Sequence, residues 1–326
     1  MNEKVLKLTI PKGSLQKDIA SFFERAGLNL KFVSKRDYRP SVEDPEIYIK
    51  LLRPQEIPNY LIGENEFDLG ISGIDWVKET KAEVDVLLDL EIGAVSIVLC
   101  IPNNWEDIHN LDDILQKFND NKKALRISTE YLTLSVNYLK ENKTYKKLYG
   151  DLVPLVITPW RRWGENANVK IFLSFGATEA KPPEEVDVII DNTSTGTTLK
   201  ANNLKIVEII DTSTAVLIAN KSALEDKWKQ EKIKDILVLL KGVIEAKKKL
   251  HIFMNVQEDN LNKVLLELPA LKRPTISKLA GSEGWYAINT IIKKDEFLNL
   301  IPILRKYAQG LVVHEPRQIL PLEEVQ

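Results

Sequence analysis

The chain has 326 residues, of which 44% are hydrophobic and 28% are charged, a composition typical of a folded protein of two or three domains. Lysine and arginine total 45 against 47 aspartates and glutamates, which leaves a formal net charge of −2. Because nucleic-acid-binding proteins usually carry a basic face or tail, this balance argues against a nucleic-acid partner.

The scarcity of cysteine and histidine limits the metal chemistry. The single cysteine, Cys100, lies in an apolar run and is predicted to be a buried strand thiol, so an intramolecular disulfide and a cysteine-rich metal site are excluded. His109, His251 and His314 lack the i, i+4 spacing of a helical zinc site, while an oxygen-ligated Mg²⁺ remains open. The sequence shows neither a signal-like segment nor a run of about 18 apolar residues, so we expect a cytoplasmic protein without a membrane partner.

Strands and helices alternate through the first hundred residues. A strand predicted at 6–10 is followed by the turn Pro11–Ser14 and by apolar residues at helical spacing. A second strand at 46–52 ends at Arg53, and a third at 67–71 leads through a Ser-Gly turn into a helix. This rhythm predicts an α/β sheet that binds ligands at the carboxyl ends of its strands.

The middle of the chain predicts a second α/β lobe, which begins near the polar break after a buried strand at 94–101. Residues 145–168 show no clear period and are interpreted as a long, partly ordered loop. The remaining elements predicted here are a helix at 133–141 and strands at 125–128, 169–174, 186–190, 206–210 and 216–220.

The last hundred residues have a different pattern. An amphipathic helix is predicted at 228–249, with apolar side chains on one face and lysines opposite. From 251 to 314 the order strand, helix, strand, strand, helix, strand follows. That order is typical of a ferredoxin-like module.

The strongest local signal is a threonine-rich loop after the strand at 186–190. The strand leads to Asp191, and hydroxyl side chains surround Gly196 before a helical pattern begins at Leu199. Backbone N–H groups and hydroxyls in such a loop converge on a phosphate, and the glycine permits the close approach that wrapping an anion requires. The alternative is a turn that merely caps a helix. The hydroxyl residues of this threonine loop are Thr193, Ser194, Thr195, Thr197 and Thr198.

Three charged residues follow predicted strands and are candidates for the same crevice. Lys12 and Arg53 would neutralise a polyphosphate, and Glu179 would face the cleft. Taken singly, each is more readily interpreted as a solvated surface side chain. The turn at 68–73 would add backbone donors.

Together these segments resemble the family of ATP phosphoribosyltransferases, in the long form with a C-terminal regulatory domain. The resemblance covers nearly the whole chain and implies two periplasmic-binding-protein-like (type II) α/β lobes followed by a ferredoxin-like βαββαβ domain. It places lobe I at 1–97 and 208–249, lobe II at 98–207 and the regulatory domain at 250–326. The segments that carry it are PKGSL (11–15), LRPQEIP (52–58), DLGISG (68–73), STEY (128–131), GATE (176–179), DNTSTGTTL (191–199) with KAN (200–202), MNV (254–256), LPALKRPT (268–275) and GW (284–285).

The resemblance implies Mg²⁺-dependent transfer of the 5-phosphoribosyl group from phosphoribosyl pyrophosphate (PRPP) to N1 of ATP, the first step of histidine biosynthesis. It assigns Lys12, Arg53 and Glu179 to catalysis and leaves the metal ligands unassigned. PRPP would be bound by the threonine loop, Asp191 through Thr198. The residues implied for ATP binding are Ser14, Leu15, Asp68, Ser72 and Gly73.

The family also implies feedback inhibition by histidine and a homo-oligomer, from dimer to hexamer. The positions implied for histidine are Asn255, Leu271, Thr275 and Gly310. Asn255 stands where some relatives place an acid that would pair with the amino group of the ligand, so we expect weaker inhibition here.

Three features depart from the family pattern. Ser14 replaces an arginine that many relatives carry, the segment at 181–185 replaces a more apolar one, and the stretch at 145–168 is longer. Its Trp160–Trp163 cluster would contact ATP, a neighbouring subunit or simply the protein surface. Two other readings therefore stay open, namely a catalytically silent regulatory relative and a small-molecule-binding protein on the same scaffold.

Overall fold

The structure, a computed structural model, describes residues 4–34, 36–63, 67–268 and 274–322. They form two compact units. The larger comprises Leu6–Gln16 and Ile49–Glu225, and the smaller comprises Met1–Val5, Lys17–Tyr48 and Asp226–Gln326. In the part of the chain that is described, no helix is both long and apolar enough to cross a bilayer.

The strands, in chain order, are β1 Leu6–Pro11, β2 Ile47–Leu52, β3 Leu69–Gly73, β4 Asp85–Asp89, β5 Val95–Pro102, β6 Leu125–Thr129, β7 Pro154–Ile157, β8 Arg162–Trp163, β9 Asn166–Leu173, β10 Val188–Thr193, β11 Leu204–Ser213, β12 Ala215–Ala219, β13 Lys249–Gln257, β14 Thr275–Lys278, β15 Trp285–Lys293 and β16 Ala308–His314. The α-helices are α1 Gln16–Ala26, α2 Ile74–Thr80, α3 Leu111–Asp120, α4 Leu132–Glu141, α5 Lys143–Tyr149, α6 Thr197–Ala201, α7 Lys221–Glu225, α8 Lys227–Lys247, α9 Glu258–Glu267 and α10 Lys294–Tyr307. Short 3₁₀ turns lie at Ile57–Leu61 and Thr178–Ala180.

The larger unit contains two sheets. The first, with its helix α2, is called lobe I and has the order β2-β1-β3-β12-β4, in which β1 and β3 are parallel and β12 is antiparallel to both neighbours. The second, with helices α3 to α6, is called lobe II and has the order β11-β5-β10-β6-β9-β7-β8. The strands of both sheets are near-continuous apolar runs in the sequence, which is the pattern of strands covered on both faces.

The chain passes from lobe I to lobe II between β4 and β5 and returns between β11 and β12. Two sheets joined by two such crossings are the arrangement expected for periplasmic-binding-protein-like lobes, and the predicted fold class is confirmed. The predicted lobe bounds at 97/98 and 207/208 fall inside β5 and β11. Those bounds stay a prediction.

The core of lobe II explains why its strands are so apolar. One buried cluster contains an isoleucine from each of four strands, together with side chains from α3 and α4. These isoleucines are Ile97 of β5, Ile127 of β6, Ile171 of β9 and Ile190 of β10. Cys100 is fully buried on β5, as predicted, and burial raises the pKa of its thiol to about 12.

The expectation of a long loop at 145–168 is wrong. More than half of its residues lie in α5, β7, β8 and the start of β9. Tyr145 is fully buried, donates to the Leu152 carbonyl at 2.8 Å and accepts from the Asn166 amide at 2.9 Å. The elements are too short to show a period in the sequence, and buried hydrogen bonds between distant residues fix them instead.

The smaller unit contains α1, α8 and a four-stranded antiparallel sheet of order β14-β15-β13-β16. The helices α9 and α10 cover one face of this sheet, where Ile252, Met254 and Val256 of β13 form the core. The element order confirms the predicted ferredoxin-like βαββαβ module.

The end of the chain returns to the helices of this unit. The Arg317 guanidinium donates to the Arg25 carbonyl at the end of α1, at 2.9 Å. The Ile319 N–H donates to the Gly242 carbonyl of α8 at 2.9 Å, and Leu320 lies where a Cβ on Gly242 would point. Gly242 therefore allows the tail to cross α8 closely.

Candidate active site

Three parallel strands of lobe II end at the same edge. In the register of the sheet Thr129 of β6 pairs with Ile190 of β10 and with Leu173 of β9. The segments that follow these strands therefore lie side by side, as the carboxyl ends of parallel strands do. They are the STEY segment, the turn that holds Glu179 and the threonine loop.

The threonine loop has the conformation that its sequence predicts. Gly196 adopts a φ of +72°, and its N–H donates to the Thr193 hydroxyl at 2.9 Å. The hydroxyls of Thr195 and Thr197 lie 2.8 Å apart at the surface. Ser194 and Thr198 are exposed as well. The loop thus presents several hydroxyls at the surface from one short segment.

The helix expected after this loop contributes less than predicted. Strand β10 continues to Thr193 and α6 has only five residues, Thr197–Ala201. A helix that short has a small macrodipole, so the loop's hydroxyls and N–H groups are its main donors to an anion.

The surroundings of Asp191 disfavour the negative charge of its carboxylate. Its carboxyl lies in a largely buried position, and this desolvation raises its pKa from 3.8 to about 6. The nearby carboxylates of Glu130 and Glu179 contribute to this increase in pKa, while the Asn192 N–H and the Thr178 hydroxyl partly offset it. Three acids therefore meet at this edge of lobe II. Glu130, which directly follows β6, was missed from the sequence.

A compact turn holds Glu179. The Ser174 hydroxyl contacts the Thr178 hydroxyl at 2.9 Å, and the Lys181 ammonium donates to Ser174 at 2.5 Å and to Ser128 at 3.2 Å. Ser128 and Ser174 are both buried. Lys181 therefore joins the turn of Glu179 to the end of β6.

In lobe I, Lys12 and Arg53 come together as predicted. The Lys12 N–H donates to the Leu52 carbonyl at 2.7 Å, which joins the carboxyl ends of β1 and β2. The Arg53 Nη1 atom lies 3.7 Å from the Cβ position of Gly13, so the guanidinium lies beside the PKGSL turn. Ser14 is exposed in the same turn.

The other residues predicted for ATP are divided between the two edges of lobe I. Leu15 packs against Gly93, and Ser72 and Gly73 end β3 near the carboxyl edge, where the Ser72 hydroxyl donates to the Pro54 carbonyl at 2.8 Å. Asp68 precedes β3 and accepts from the Lys7 N–H at 2.8 Å. The structure does not bring Asp68 to the edge that holds Lys12 and Arg53.

The crossing between the lobes contains a cavity and a set of contacts that the sequence did not reveal. The cavity has a volume of about 440 Å³ and is lined by Ser96, Ser194, Thr212 and Thr214 among others. Beside it, the Tyr131 hydroxyl of lobe II donates to the Asp75 carboxylate of lobe I at 2.7 Å. No spacing rule finds such a pair, since 56 residues separate the two side chains.

In the smaller unit the predicted histidine positions lie on one sheet. Thr275 and Phe253 both pair with Asn289, so Thr275 is on the same face as Asn255, away from α9 and α10. Gly310 has a φ of +59°, and its Cβ position is 3.8 Å from the Asn255 amide. Leu271 lies outside the described residues.

The fold and this site define the class of the protein: a two-lobed α/β protein with a hydroxyl-rich loop and two cationic side chains at the carboxyl ends of its strands, followed by a ferredoxin-like domain. The family model described as "HisG: ATP phosphoribosyltransferase" matches residues 53–242, and the model "HisG, C-terminal domain" matches residues 246–315. The chain belongs to the ATP phosphoribosyltransferase family.

Similar proteins agree with this assignment along the whole chain. An ATP phosphoribosyltransferase of Pelotomaculum thermopropionicum is 37% identical over 316 residues, which are 95% of this chain and 97% of the relative. One of Desulforudis audaxviator is 37% identical over 322 residues, which are 97% of this chain and 99% of the relative. A solved Thermotoga maritima structure, an ATP phosphoribosyl transferase (HisG:HisZ) complex, has the same fold, with a TM-score of 0.54 and 23% identity over 73% of this chain and 96% of that one.

The acid cluster predicts a pH-dependent stability. A carboxyl whose folded pKa is raised holds its proton longer in the folded state, so the folded state loses stability as the pH rises from about 4 past 6. Asp191→Asn removes the charge and should stabilise the protein above pH 6 by about 1–3 kcal/mol, and by much less near pH 4. Urea unfolding at several pH values measures this difference.

Asp187→Asn is the control for that series. Asp187 pairs with the Arg126 guanidinium at 2.9 Å, so its loss should destabilise the protein at neutral pH instead. An Asp191→Asn gain that is the same at every pH would contradict the electrostatic account.

Proposed function

We propose that this chain transfers the 5-phosphoribosyl group of PRPP to N1 of ATP, which gives N1-(5-phosphoribosyl)-ATP and pyrophosphate. Enzymes of this family are glycosyltransferases that act in histidine biosynthesis. The observation that carries the proposal for this chain is the threonine loop, with Gly196 at positive φ, beside three carboxylates at the end of the parallel strands of lobe II.

The loop suits a sugar 5-phosphate. Its hydroxyls and N–H groups are donors without a positive side chain among residues 191–199, and this favours a phosphate monoester held by many hydrogen bonds. Asp191 stands at the start of the loop, where its carboxylate would accept from ribose hydroxyls.

The charges fit the reaction. When pyrophosphate leaves the anomeric carbon, positive charge develops on the sugar and negative charge on the leaving group. Asp191 and Glu179 would stabilise the positive charge on the sugar. Lys12 and Arg53 would neutralise the negative charge of the leaving pyrophosphate or bind the phosphates of ATP. The protein then contributes mainly by holding both substrates in line and excluding water. No activated serine, cysteine or histidine is required.

A cation is expected with these substrates, and we propose Mg²⁺. In the described residues no group of three acidic, histidine or cysteine side chains forms a protein-only cage. Mg²⁺ is commonly held by one or two carboxylates together with substrate phosphates and water. The crowded acids fit that role, since Asp191 with its raised pKa would gain from a neighbouring positive charge. Asp191 and Glu179 would hold the ion, which would shield the charge of the pyrophosphate.

The departure at Ser14 does not favour a silent relative. Lys12 and Arg53 lie at the same turn, so cationic groups remain there without an arginine at position 14. The threonine loop is complete. Ser14, Leu15, Ser72 and Gly73 are proposed to border the nucleotide, whereas Asp68 lies at the opposite edge of its strand.

For regulation we propose that histidine binds the open face of the regulatory sheet near Asn255, Thr275 and Gly310. We further propose that the enzyme acts in the cytoplasm as a homo-oligomer, from dimer to hexamer. The observation that supports the histidine site is that three of the implied positions share one sheet, with the side-chain amide of Asn255 beside Gly310.

The proposed activity is tested by mixing the protein with ATP, PRPP and Mg²⁺ and following the absorbance of phosphoribosyl-ATP. We expect product formation that depends on all three components. Absence of product above a protein-free blank would reject the transferase.

Gly196→Val tests the assigned phosphate loop. Its Cβ meets only Ile206, at 3.8 Å, so the protein should fold, but the side chain and the strained φ of +72° should block backbone approach to the phosphate. We expect PRPP binding to fall at least a hundredfold by calorimetry with Mg²⁺. Gly281→Val, at a φ of +75° with open space around it, carries the same strain in the regulatory domain. It should bind PRPP normally, and an unchanged PRPP affinity in Gly196→Val would refute the assignment.

Asn255→Asp tests the proposed histidine site. A carboxylate would pair with the ligand's amino group, and charge-assisted hydrogen bonds are roughly twice as strong as neutral ones. We expect histidine to inhibit this variant at about a tenfold lower concentration than the parent. Gln257→Glu adds the same charge two residues along β13 and should leave the inhibition curve unchanged. Equal curves for Asn255→Asp and the parent would place the histidine elsewhere.

A further inference from the structure

Tyr131 joins three parts of the larger unit. It lies between β6 and α4 and is fully buried. Its hydroxyl donates to the Asp75 carboxylate of α2 at 2.7 Å and accepts from the side-chain amide of Asn192 at 2.9 Å. Asn192 is the second residue of the threonine loop. One hydroxyl therefore connects the loop of lobe II with a helix of lobe I.

The acceptor of this bond is itself fixed. The Ser213 hydroxyl donates to the other Asp75 oxygen at 2.6 Å, and the Asp75 N–H donates to the Ser213 hydroxyl at 3.2 Å. Asp75 is 3% exposed, so its charge is satisfied by these donors rather than by bulk water. Ser213 ends β11 and directly precedes the return crossing to lobe I. The hydrogen bonds thus run from the crossing to the threonine loop.

Two further contacts hold α2 against the same segment of lobe II. The Trp76 ring stacks on the Tyr131 ring, with centroids 4.5 Å apart. The Glu79 carboxylate accepts from the N–H groups of Thr133 and Leu134 at 2.9 and 3.0 Å, at the start of α4. Burial raises the pKa of the Tyr131 hydroxyl, and the Asp75 charge raises it further, so this hydroxyl stays a donor at neutral pH.

We propose that Tyr131 is a positioning residue for the phosphoribosyl transfer, because its hydroxyl orients Asn192 and thereby sets the threonine loop relative to α2 of lobe I. This inference rests on the proposed function. The 5-phosphate of PRPP would bind the threonine loop, whose orientation is fixed by its contact with lobe I. Lys12 and Arg53 of lobe I would bind the pyrophosphate at the other end of the same substrate. Tyr131 touches no reacting atom in this role.

Tyr131→Phe is the direct test. Phenylalanine keeps the ring that stacks on Trp76 but leaves the Asp75 carboxylate without one donor and the Asn192 amide without its acceptor. We expect the dissociation constant for PRPP, measured by calorimetry with Mg²⁺, to rise about tenfold, because binding would then have to order the threonine loop as well. The KM for PRPP should rise with it, while the KM for ATP stays within about twofold of the parent value.

Tyr138→Phe is the matched control. The Tyr138 hydroxyl donates to the Glu208 carboxylate at 2.5 Å, and both residues belong to lobe II. This variant loses a bond of the same kind without touching the threonine loop, so it should lose thermal stability but bind PRPP as the parent does. Equal loss of PRPP affinity in Tyr138→Phe and Tyr131→Phe would show a general effect of destabilisation and would overturn the positioning role.

Asn192→Ala provides a second variant at an exposed position that should fold in any case. If Tyr131 acts through Asn192, the double variant should bind PRPP no more weakly than the worse single one, since coupled residues are not additive. Fully additive losses would overturn the proposal. If the parent protein itself shows no binding of PRPP, the proposed function fails together with this role. Normal binding by the parent and by Tyr131→Phe alike refutes the role of Tyr131 alone.

Discussion

The site depends on one constraint, namely that the chain crosses between the two sheets of the larger unit after β4 and again after β11. Two crossing segments alone would leave the angle between the lobes free to vary unless side-chain contacts fix that angle. Here the Tyr131–Asp75 hydrogen bond and the Glu79 carboxylate at the start of α4 supply that restraint. The carboxyl ends of the parallel strands of lobe II are thereby kept at a defined place relative to α2.

The same edge concentrates negative charge in the absence of substrate. Burial together with Glu130 and Glu179 raises the pKa of Asp191 to about 6, so at neutral pH its ionised form destabilises the folded protein. An enzyme site commonly retains such a cost because the charges become favourable once the reaction partners bind. A sugar that develops positive charge and a cation carried by a polyphosphate are both partners of that kind. The arrangement therefore suits an oxocarbenium-like transition state better than it suits the empty protein.

The sequence was informative where the signal is local. The strand ends before Lys12 and Arg53, the positive φ of Gly196 and the βαββαβ order could all be predicted, because each depends on neighbouring residues. Three other features could not be predicted from the sequence. Residues 145–168 form short elements held by the buried Tyr145, Asp68 turns toward the Lys7 backbone at the opposite edge of its strand, and Tyr131 meets Asp75 across the lobes. Each of these results from contacts between residues far apart in the chain, which no periodicity encodes.

The departure from the family pattern at 181–185 shows how such contacts preserve a site. The Arg126 guanidinium of β6 donates to the carbonyls of Glu184 and Glu185 at 3.1 and 2.9 Å and pairs with Asp187. Lys181, at the start of the same segment, donates to Ser174 and Ser128. The segment is therefore fastened at both ends to strands β6 and β9, whose carboxyl ends carry Glu130 and the turn of Glu179. In this chain the arm is held beside the acids by hydrogen bonds and an ion pair rather than by apolar packing alone.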